Sequence, residues 1–178
     1  MTRRYVALLR GVNVGRANRL SMDDFKAVLS RLGYDDPRTL LNSGNAVFSA
    51  SPRPTTDLAA EIETALAEQC ALSVRAVVIS AEQLAEAIAR NPLSHIADDP
   101  TRLLVAFFRD DADVARLDEL TAQDWTPDVV AVVGRVAYLW LPAGVTSSAL
   151  AAALARLFGT AVTSRNWATV LKLRGLSS

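Results

Sequence analysis

The sequence has 178 residues, 51% of them hydrophobic, which is enough for one domain or two small ones with a substantial core. Its 19 basic and 19 acidic residues cancel, and this balance argues against a general nucleic-acid binder, since such proteins are usually basic overall. The single cysteine, Cys70, excludes an internal disulfide, and no apolar run reaches the ~18 residues of a membrane span. The first residues lack the apolar segment of a signal peptide, so we expect a cytoplasmic protein without a membrane partner.

Alternating and periodic apolar residues predict three strands and two helices in the first 70 residues, in the order strand, helix, strand, strand, helix. The strands are expected at 5–10, 38–41 and 46–49, and the helices after Ser21 and at 57–70. Ser21 is a suitable N-cap because Asp23 and Asp24 follow it in the first turn. A fourth strand is expected at 74–79, and a short helix from Ser80 to Arg90 follows it.

The second half of the chain repeats this order. It predicts a strand at 102–108, a helix at 112–121, a hairpin of strands 129–133 and 136–141, a helix at 146–158, a candidate strand at 160–163 and a helical tail at 164–173. We therefore predict an α+β fold of two ferredoxin-like βαββαβ subdomains, produced by internal duplication, with a C-terminal helix. The expected divisions are 1–80 for the first subdomain, 81–100 for a helix and linker, and 101–178 for the second subdomain with the C-terminal helix.

Charge is distributed unevenly along the chain. Residues 1–20 contain five arginines and no acid, and all 19 acids lie between Asp23 and Asp128. Ordinary solvated helix surfaces explain such a distribution as well as a functional surface does. The functional interpretation is that both ends of the chain contribute to one positive region.

The predicted topology brings two polar segments together. In a ferredoxin-like sheet with strand order 4-1-3-2, the loop after strand one and the turn after strand two lie at the same end. The expected ligand-binding residues of these segments are Arg10, Asn13, Arg16, Asn18, Arg19, Asn42, Ser43 and Asn45. Arginine suits phosphate or carboxylate, asparagine can donate and accept, and the N–H groups that begin the first helix favour an anion. The alternative is that Asn42-Ser43-Gly44-Asn45 and the first loop are structural turns that happen to be polar.

Candidate catalytic and metal-binding patterns are weak. His95 is the only histidine and lies in a predicted loop, where a surface role is the ordinary explanation. We find no metal-ligand spacing, no nucleophile motif and no phosphate-loop motif, so we name no catalytic residue, metal ligand or cofactor. The pattern favours a protein without catalysis, and the alternative is an enzyme in which Arg, Asn and Ser stabilise charge.

Sheet-face RNA binding is not favoured, although the RNA-binding form of this fold is well known to use aromatic residues on strands one and three. Those strands offer Tyr5 and Phe48, and period-two counting places Tyr5 on the same face as Ala7 and Leu9. That face is apolar, so we expect Tyr5 in the core rather than on a stacking surface.

The stretch from Tyr5 to Phe48, which begins YVALLRGVNVGRANRL, resembles the bacterial family catalogued as domain of unknown function 1697. The tail TSRNWATVLKL, residues 163–173, resembles the end of that family. The resemblance implies a pair of ferredoxin-like subdomains and no established activity. The family pattern in the first loop reads Gly-Gly-Lys-Asn, from which Gly15-Arg16-Ala17-Asn18 departs at two positions. Either Arg16 replaces the lysine from a different angle, or this member binds differently.

The tail carries a second polar cluster, Arg165-Asn166-Trp167, at an expected helix start. We include Arg165 and Asn166 among the ligand-binding candidates, while Trp167 fits better as a core contact of the helix at spacings of three and four residues. The sequence therefore predicts a protein of uncharacterised function that binds a small anionic ligand, such as a nucleotide or phosphorylated metabolite. A nucleic-acid or protein interaction module is the first alternative, and the enzyme described above is the second. The oligomeric state is not indicated.

Overall fold

The computed structural model describes all 178 residues, Met1–Ser178, and has a mixed α+β fold with two four-stranded antiparallel sheets and a C-terminal helix. The predicted α+β class is therefore confirmed. The chain forms two compact units, of which the first is Met1–Ala85 with Lys172–Ser178 and the second is Glu86–Leu171. None of the helices combines the length and the hydropathy that crossing a membrane requires.

The first sheet and its helices come from the first part of the chain. The elements are β1 (Arg3–Arg10), α1 (Met22–Arg31), β2 (Asp35–Leu40), β3 (Asn45–Ala50), α2 (Thr55–Cys70), β4 (Arg75–Ser80) and α3 (Ala81–Ala89). The strand order is β2-β3-β1-β4, and every neighbouring pair is antiparallel. Because β3 is antiparallel to both β1 and β2, those two strands run in the same direction and end at the same edge of the sheet.

Alternation along β1 explains how the helices pack on this sheet. Tyr5, Ala7 and Leu9 are buried in one cluster with the apolar faces of α1 and α2. The helix residues of this cluster are Phe25, Val28, Leu29, Leu58, Ala59, Ile62, Ala65 and Leu66. Helix α1 begins as the sequence predicts, because the Ser21 hydroxyl accepts the Asp24 N–H at 3.0 Å.

The second sheet and its helices follow along the chain. The elements are β5 (Leu103–Phe108), α4 (Asp111–Val114), α5 (Asp118–Thr121), β6 (Val129–Val133), β7 (Val136–Trp140), α6 (Ala149–Phe158), β8 (Val162–Asn166) and α7 (Trp167–Ser177). Helix α7 begins in the second unit, and its residues from Lys172 onward belong to the first. The strand order is β6-β7-β5-β8, again fully antiparallel. The core of the second unit includes an edge-to-face contact between Phe108 and Phe158, with ring centroids 4.9 Å apart.

The helix expected at 112–121 is two short helices, α4 and α5. Between them the backbone makes tighter i to i−3 hydrogen bonds, from Arg116 N–H to Asp113 O at 3.2 Å and from Leu117 N–H to Val114 O at 3.0 Å. The apolar spacing predicts where the segment touches the core, since Leu117 and Leu120 are buried, but it does not reveal the interruption.

The tail also differs from the expectation. The sequence predicts the last strand at 160–163, whereas β8 spans Val162–Asn166. It pairs with β5 from Val162 opposite Phe108 to Asn166 opposite Leu104. Four of its five residues are Thr, Ser, Arg and Asn, so the segment lacks the apolar signal of a strand. Pairing with β5 decides its conformation, and α7 starts at Trp167, later than the expected residue 164.

Candidate functional site

The loop after β1, residues 11–20, and the turn between β2 and β3, residues 41–44, lie at the same edge of the first sheet. We call these two segments the rim. They are in direct contact, because the Asn13 side-chain Nδ2 donates a hydrogen bond to the Asn42 carbonyl at 2.7 Å. The antiparallel strand order therefore places the two polar segments together, as the sequence reasoning expects.

Asn13 holds the first loop in shape. Its Nδ2 also donates to the Leu20 carbonyl at 2.8 Å, and its Oδ1 accepts the Leu20 N–H at 3.0 Å. Its backbone N–H donates to the Asn18 carbonyl at 2.9 Å, and its φ of 56° lies in the left-handed region that asparagine tolerates. All three side-chain bonds of Asn13 go to backbone atoms, so this residue shapes the rim rather than presenting an amide to solvent.

Asn45, the first residue of β3, has a similar structural role next to the second segment. It is fully buried, and its Nδ2 donates to the Leu40 carbonyl and to the Ser43 hydroxyl, both at 2.9 Å. The sequence predicts Asn45 as a ligand contact, whereas its buried side chain holds the hairpin together through these two bonds. Asn42 and Ser43 are exposed beside it.

Gly44 lets the two segments approach closely. Its φ is 79°, and a Cβ at this position would lie 2.7 Å from Leu9 Cβ and 2.7 Å from Val12 Cγ2. Such distances are shorter than van der Waals contact, so only glycine fits without displacing the neighbouring strand. The Gly44 carbonyl also accepts the Leu9 N–H at 2.8 Å, which ties the turn to the end of β1.

Arg16 and Arg19 are the exposed cations of the rim. Both side chains lie in solvent, and neither makes an ion pair or a hydrogen bond with the protein. Asn18 is exposed between them, with its Nδ2 3.3 Å from the Gly11 carbonyl and a φ of 52°. The rim therefore carries two full positive charges that no carboxylate of the chain neutralises.

Arg75 is a rim-adjacent residue that the sequence reasoning missed. Antiparallel pairing of β1 with β4 sets Arg75 opposite the half-buried Arg10, at the edge of the sheet where β1 ends. Glu63 partly balances this pair, since its Oε2 lies 3.3 Å from Arg75 Nη1 and its Oε1 accepts the Ala76 N–H at 2.8 Å. The expected strand order places the beginning of the fourth strand beside the end of the first, so Arg75 could have been identified as a neighbour of Arg10.

Carboxylates already lie at the start of α1, where the sequence predicts that free N–H groups favour an anion. Ser21 caps the helix, its hydroxyl lies 2.7 Å from Asp24 Oδ2, and Asp23 adds a second carboxylate in the first turn. These negative charges already interact with the helix dipole and would repel a bound anion. Anion recognition at the rim therefore has to rely on the arginines rather than on the helix N-terminus.

The tail candidates Arg165 and Asn166 lie on β8 in the second unit. Arg165 Nη1 donates to Thr163 Oγ1 at 2.9 Å and to the Ser164 carbonyl at 2.8 Å, and burial lowers the pKa of its guanidinium to about 10. Asn166 Oδ1 accepts the Thr169 N–H at 2.9 Å, which makes it the cap of α7. Asn166 thus has a structural function that its position before a helix could have indicated.

The opposite end of the first sheet, where β1 and β2 begin, is also rich in arginine. There Asp36 Oδ2 lies 3.1 Å from Arg4 Nη1 and 3.0 Å from Arg38 Nη2. Nearby, Arg53 binds Glu61 through both carboxylate oxygens, with Nη1 2.7 Å from Oε1, and the Tyr34 hydroxyl donates to Glu61 at 2.7 Å.

These contacts shift the ionisation of the groups involved. The Arg53 guanidinium holds the pKa of Glu61 below its ordinary value, and Arg38 does the same for the pKa of Asp36. Burial, followed by the hydrogen bond to Glu61, raises the pKa of Tyr34 above its ordinary value. The arginines at this end are thus engaged in stabilising the fold.

Base stacking and metal binding each require a particular grouping of side chains. Tyr5 and Phe48 are buried in the core with ring centroids 5.8 Å apart, where neither ring can stack on a base. No three His, Cys, Asp or Glu side chains are grouped so as to hold a metal ion. His95 is exposed in the segment between α3 and β5.

Comparison with known proteins supports the family and the fold. The family model described as a protein of unknown function, DUF1697, matches residues 1–138. The match ends before residues 163–173, on which the resemblance of the tail rests. No curated protein matches the chain. The structure of the conserved bacterial protein SP0830 from Streptococcus pneumoniae is similar over 100% of both chains, with a TM-score of 0.83 and 21% sequence identity, and shares the fold. Because the family model covers most of the chain, the protein belongs to the DUF1697 family.

Proposed function

We propose that the rim binds a small anionic ligand, a nucleotide or a phosphorylated metabolite. The observation that carries the proposal is that Arg16 and Arg19 are exposed without any partner in a loop that is otherwise held by specific hydrogen bonds. Arginine presents a planar set of donors that matches phosphate and carboxylate oxygens, and its charge persists at every physiological pH.

The loop is organised before any ligand arrives. Asn13 connects the loop to the turn, and Gly44 allows the turn to lie against the end of β1. A ligand therefore has to order only the arginine side chains, which limits the entropic cost of binding. In this proposal Arg16 and Arg19 supply charge, Arg10 adds to the positive field, and exposed Asn18, Asn42 and Ser43 orient the ligand. Asn13 and Asn45 act through the shape of the rim, and Arg165 and Asn166 are not required.

Two exposed aliphatic side chains favour a nucleotide over a fully polar metabolite. Val14 is 70% exposed and Leu41 is 51% exposed. Val14 follows Asn13 and Leu41 precedes Asn42, and a hydrogen bond joins these two asparagines. Leu41 also has a φ of 57°, which is unfavourable for a leucine outside a functional or tightly constrained turn. A base lying against these side chains would place its phosphates toward the arginines.

A thermal-shift screen tests the proposal directly. We expect ATP, GTP or a sugar phosphate to raise the unfolding temperature of the wild type, since a ligand at a hundred times its Kd stabilises by about 2.7 kcal/mol. The variant Arg16→Ala/Arg19→Ala should lose most of that shift. The matched control is Arg3→Ala/Arg90→Ala, which removes the same charge from exposed positions away from the rim and should keep the shift. If no anionic compound stabilises the wild type, the proposal fails.

Salt-sensitive retention on DNA or RNA together with no response to nucleotides would favour the nucleic-acid alternative.

We further propose that the two units are copies of one ferredoxin-like βαββαβ module, spanning 1–80 and 101–178 and joined by 81–100. The support is the strand order, since the first strand of each set lies between the third and the fourth. In an experimental structure, α1 and α2 should then superimpose on α4–α5 and α6. A poor superposition of the helices on the matched sheets would contradict the duplication.

We place this function in the cytoplasm, where nucleotides and phosphorylated metabolites are abundant. Cell fractionation that finds the native protein in a membrane or secreted fraction would contradict this location.

A further inference from the structure

The second sheet ends in an apolar edge strand. In the order β6-β7-β5-β8, strand β6 has a neighbour on one side only. Its sequence, Val-Val-Ala-Val-Val, contains no charge, no proline and no register shift, and all five residues are at least partly exposed, Val129 by 36%.

The hairpin geometry shows which backbone groups of β6 point away from the sheet. Val133 pairs with Val136 across the two-residue turn Gly134-Arg135. In such a hairpin the residues that flank the turn exchange both hydrogen bonds, so Val133, Ala131 and Val129 bond to β7. The N–H and C=O groups of Val130 and Val132 therefore face outward along the edge.

The corresponding edge of the first sheet is blocked. Strand β2 is Asp-Asp-Pro-Arg-Thr-Leu, with a register shift between Asp35 and Arg38 and a φ of 45° at Asp36. Charges, proline and an irregular ladder are the usual means by which proteins prevent an edge strand from pairing with another chain. Since β6 has none of these features, the β2 edge of the first sheet is protected from pairing and the β6 edge of the second sheet is open to it.

We propose that β6 pairs antiparallel with β6 of a second copy of this chain, joining two four-stranded sheets across a two-fold axis. The outward N–H and C=O groups of Val130 would then form hydrogen bonds with Val132 of the second copy. By symmetry, those of Val132 would bond to Val130 of the second copy. Ala131 would lie on the axis, directly opposite Ala131 of the second copy.

The charges at the two ends of β6 favour a second copy of the chain as the partner and antiparallel as the direction of pairing. Asp128 precedes β6 and Arg135 follows it, so antiparallel pairing brings the acidic end of each strand to the basic end of the other. In the register centred on Ala131, Asp128 lies opposite Gly134 of the second copy, one residue from its Arg135. Parallel pairing would instead set like charges side by side. Each residue also has a partner within its own chain, since Asp128 accepts a hydrogen bond from the Ser148 hydroxyl at 2.6 Å and Arg135 Nε lies 3.6 Å from Asp111 Oδ1. Neither partner uses every polar atom of these two side chains.

Sedimentation velocity on the full chain tests the proposal. The wild type should sediment as a dimer at micromolar concentration. Ala131→Lys and Ala131→Glu should each be monomeric, because like charges then meet on the axis, and an equimolar mixture of the two should recover the dimer. The exposed Ala122→Lys is the matched control and should remain dimeric.

The mixture separates loss of pairing from loss of folding, because a misfolded variant could not be rescued by its partner. A monomeric wild type would overturn the proposal. So would a dimer that survives in either variant alone, or monomeric variants that stay monomeric when mixed.

Discussion

The two ends of the first sheet use arginine in opposite ways. At the end where β1 and β2 begin, Arg4 and Arg38 share Asp36, and Arg53 forms a two-point pair with Glu61. At the rim, Arg16 and Arg19 have no carboxylate partner, and neutral groups, chiefly the Asn13 amide and the close contact at Gly44, hold the loops together. At the end where β1 and β2 begin, ion pairs therefore stabilise the fold. At the rim, neutral contacts stabilise the loops, and the charges of Arg16 and Arg19 are free to bind a ligand.

The largest expected effect comes from the close contact at the rim. Gly44→Ala adds a Cβ 2.7 Å from both Leu9 and Val12 at a φ of 79°, so we expect a loss of about 2–4 kcal/mol in unfolding free energy. Gly15→Ala is the control, because its φ is also positive but no atom lies within 4 Å of the added Cβ. It should lose only about 1 kcal/mol. Equal losses in urea unfolding would show that the packing of the rim is looser than the structure indicates.

Asn13→Ala should follow in size. It removes three side-chain hydrogen bonds to backbone atoms of Leu20 and Asn42, and it places alanine at a φ of 56°. We expect a loss of about 1–3 kcal/mol and faster hydrogen exchange at the Leu20 N–H. Asn42→Ala leaves the backbone acceptor in place and should change stability little. If Asn13→Ala is as stable as the wild type, neutral contacts do not hold the rim.

The opposite end should show its dependence on charge through pH. Glu61 has its pKa lowered by Arg53, so its carboxylate contributes stability above the ordinary glutamate pKa and loses that contribution as pH falls through the lower, folded-state value. Glu61→Gln should therefore cost about 1 kcal/mol at neutral pH, a modest value because the pair is partly exposed, and less in acid. Denaturation of both proteins from neutral pH to pH 3 measures this. A difference that does not shrink in acid would contradict the assignment.

The smallest effect on stability is expected at the exposed rim arginines. Arg16→Ala/Arg19→Ala removes no contact of the folded chain, so its unfolding free energy should stay within about 0.5 kcal/mol of the wild type. Urea unfolding without ligand provides the measurement. A larger loss would mean that these side chains stabilise the loop, and the contrast between the two ends would disappear.

Much of this arrangement could be predicted from local sequence signals. Ser21 followed by two acids marks the start of α1, and the apolar periodicity of α1 and α2 identifies the faces that cover the sheet. The meeting of the loop and the turn follows from strand order alone. These features depend on neighbours in sequence or on topology, both of which the pattern contains.

The roles of individual polar residues could not be predicted in the same way. Asn42 and Asn45 lie three residues apart in the same hairpin, yet Asn45 is buried and Asn42 is exposed. Strand β8 gives no apolar signal, and its conformation depends on pairing with β5. Which of two asparagines faces inward, and which polar segment completes a sheet, are decided by three-dimensional neighbours that composition and spacing do not specify.

The most direct test of the contrast between the two ends is an NMR titration of the arginine Nε–H resonances with ATP. We predict that the resonances of Arg16 and Arg19 move with ATP concentration, while those of Arg38 and Arg53, already bound to Asp36 and Glu61, stay in place. If ATP moves neither rim resonance, or moves the arginines of both ends alike, the rim is not the anion-binding surface of this protein.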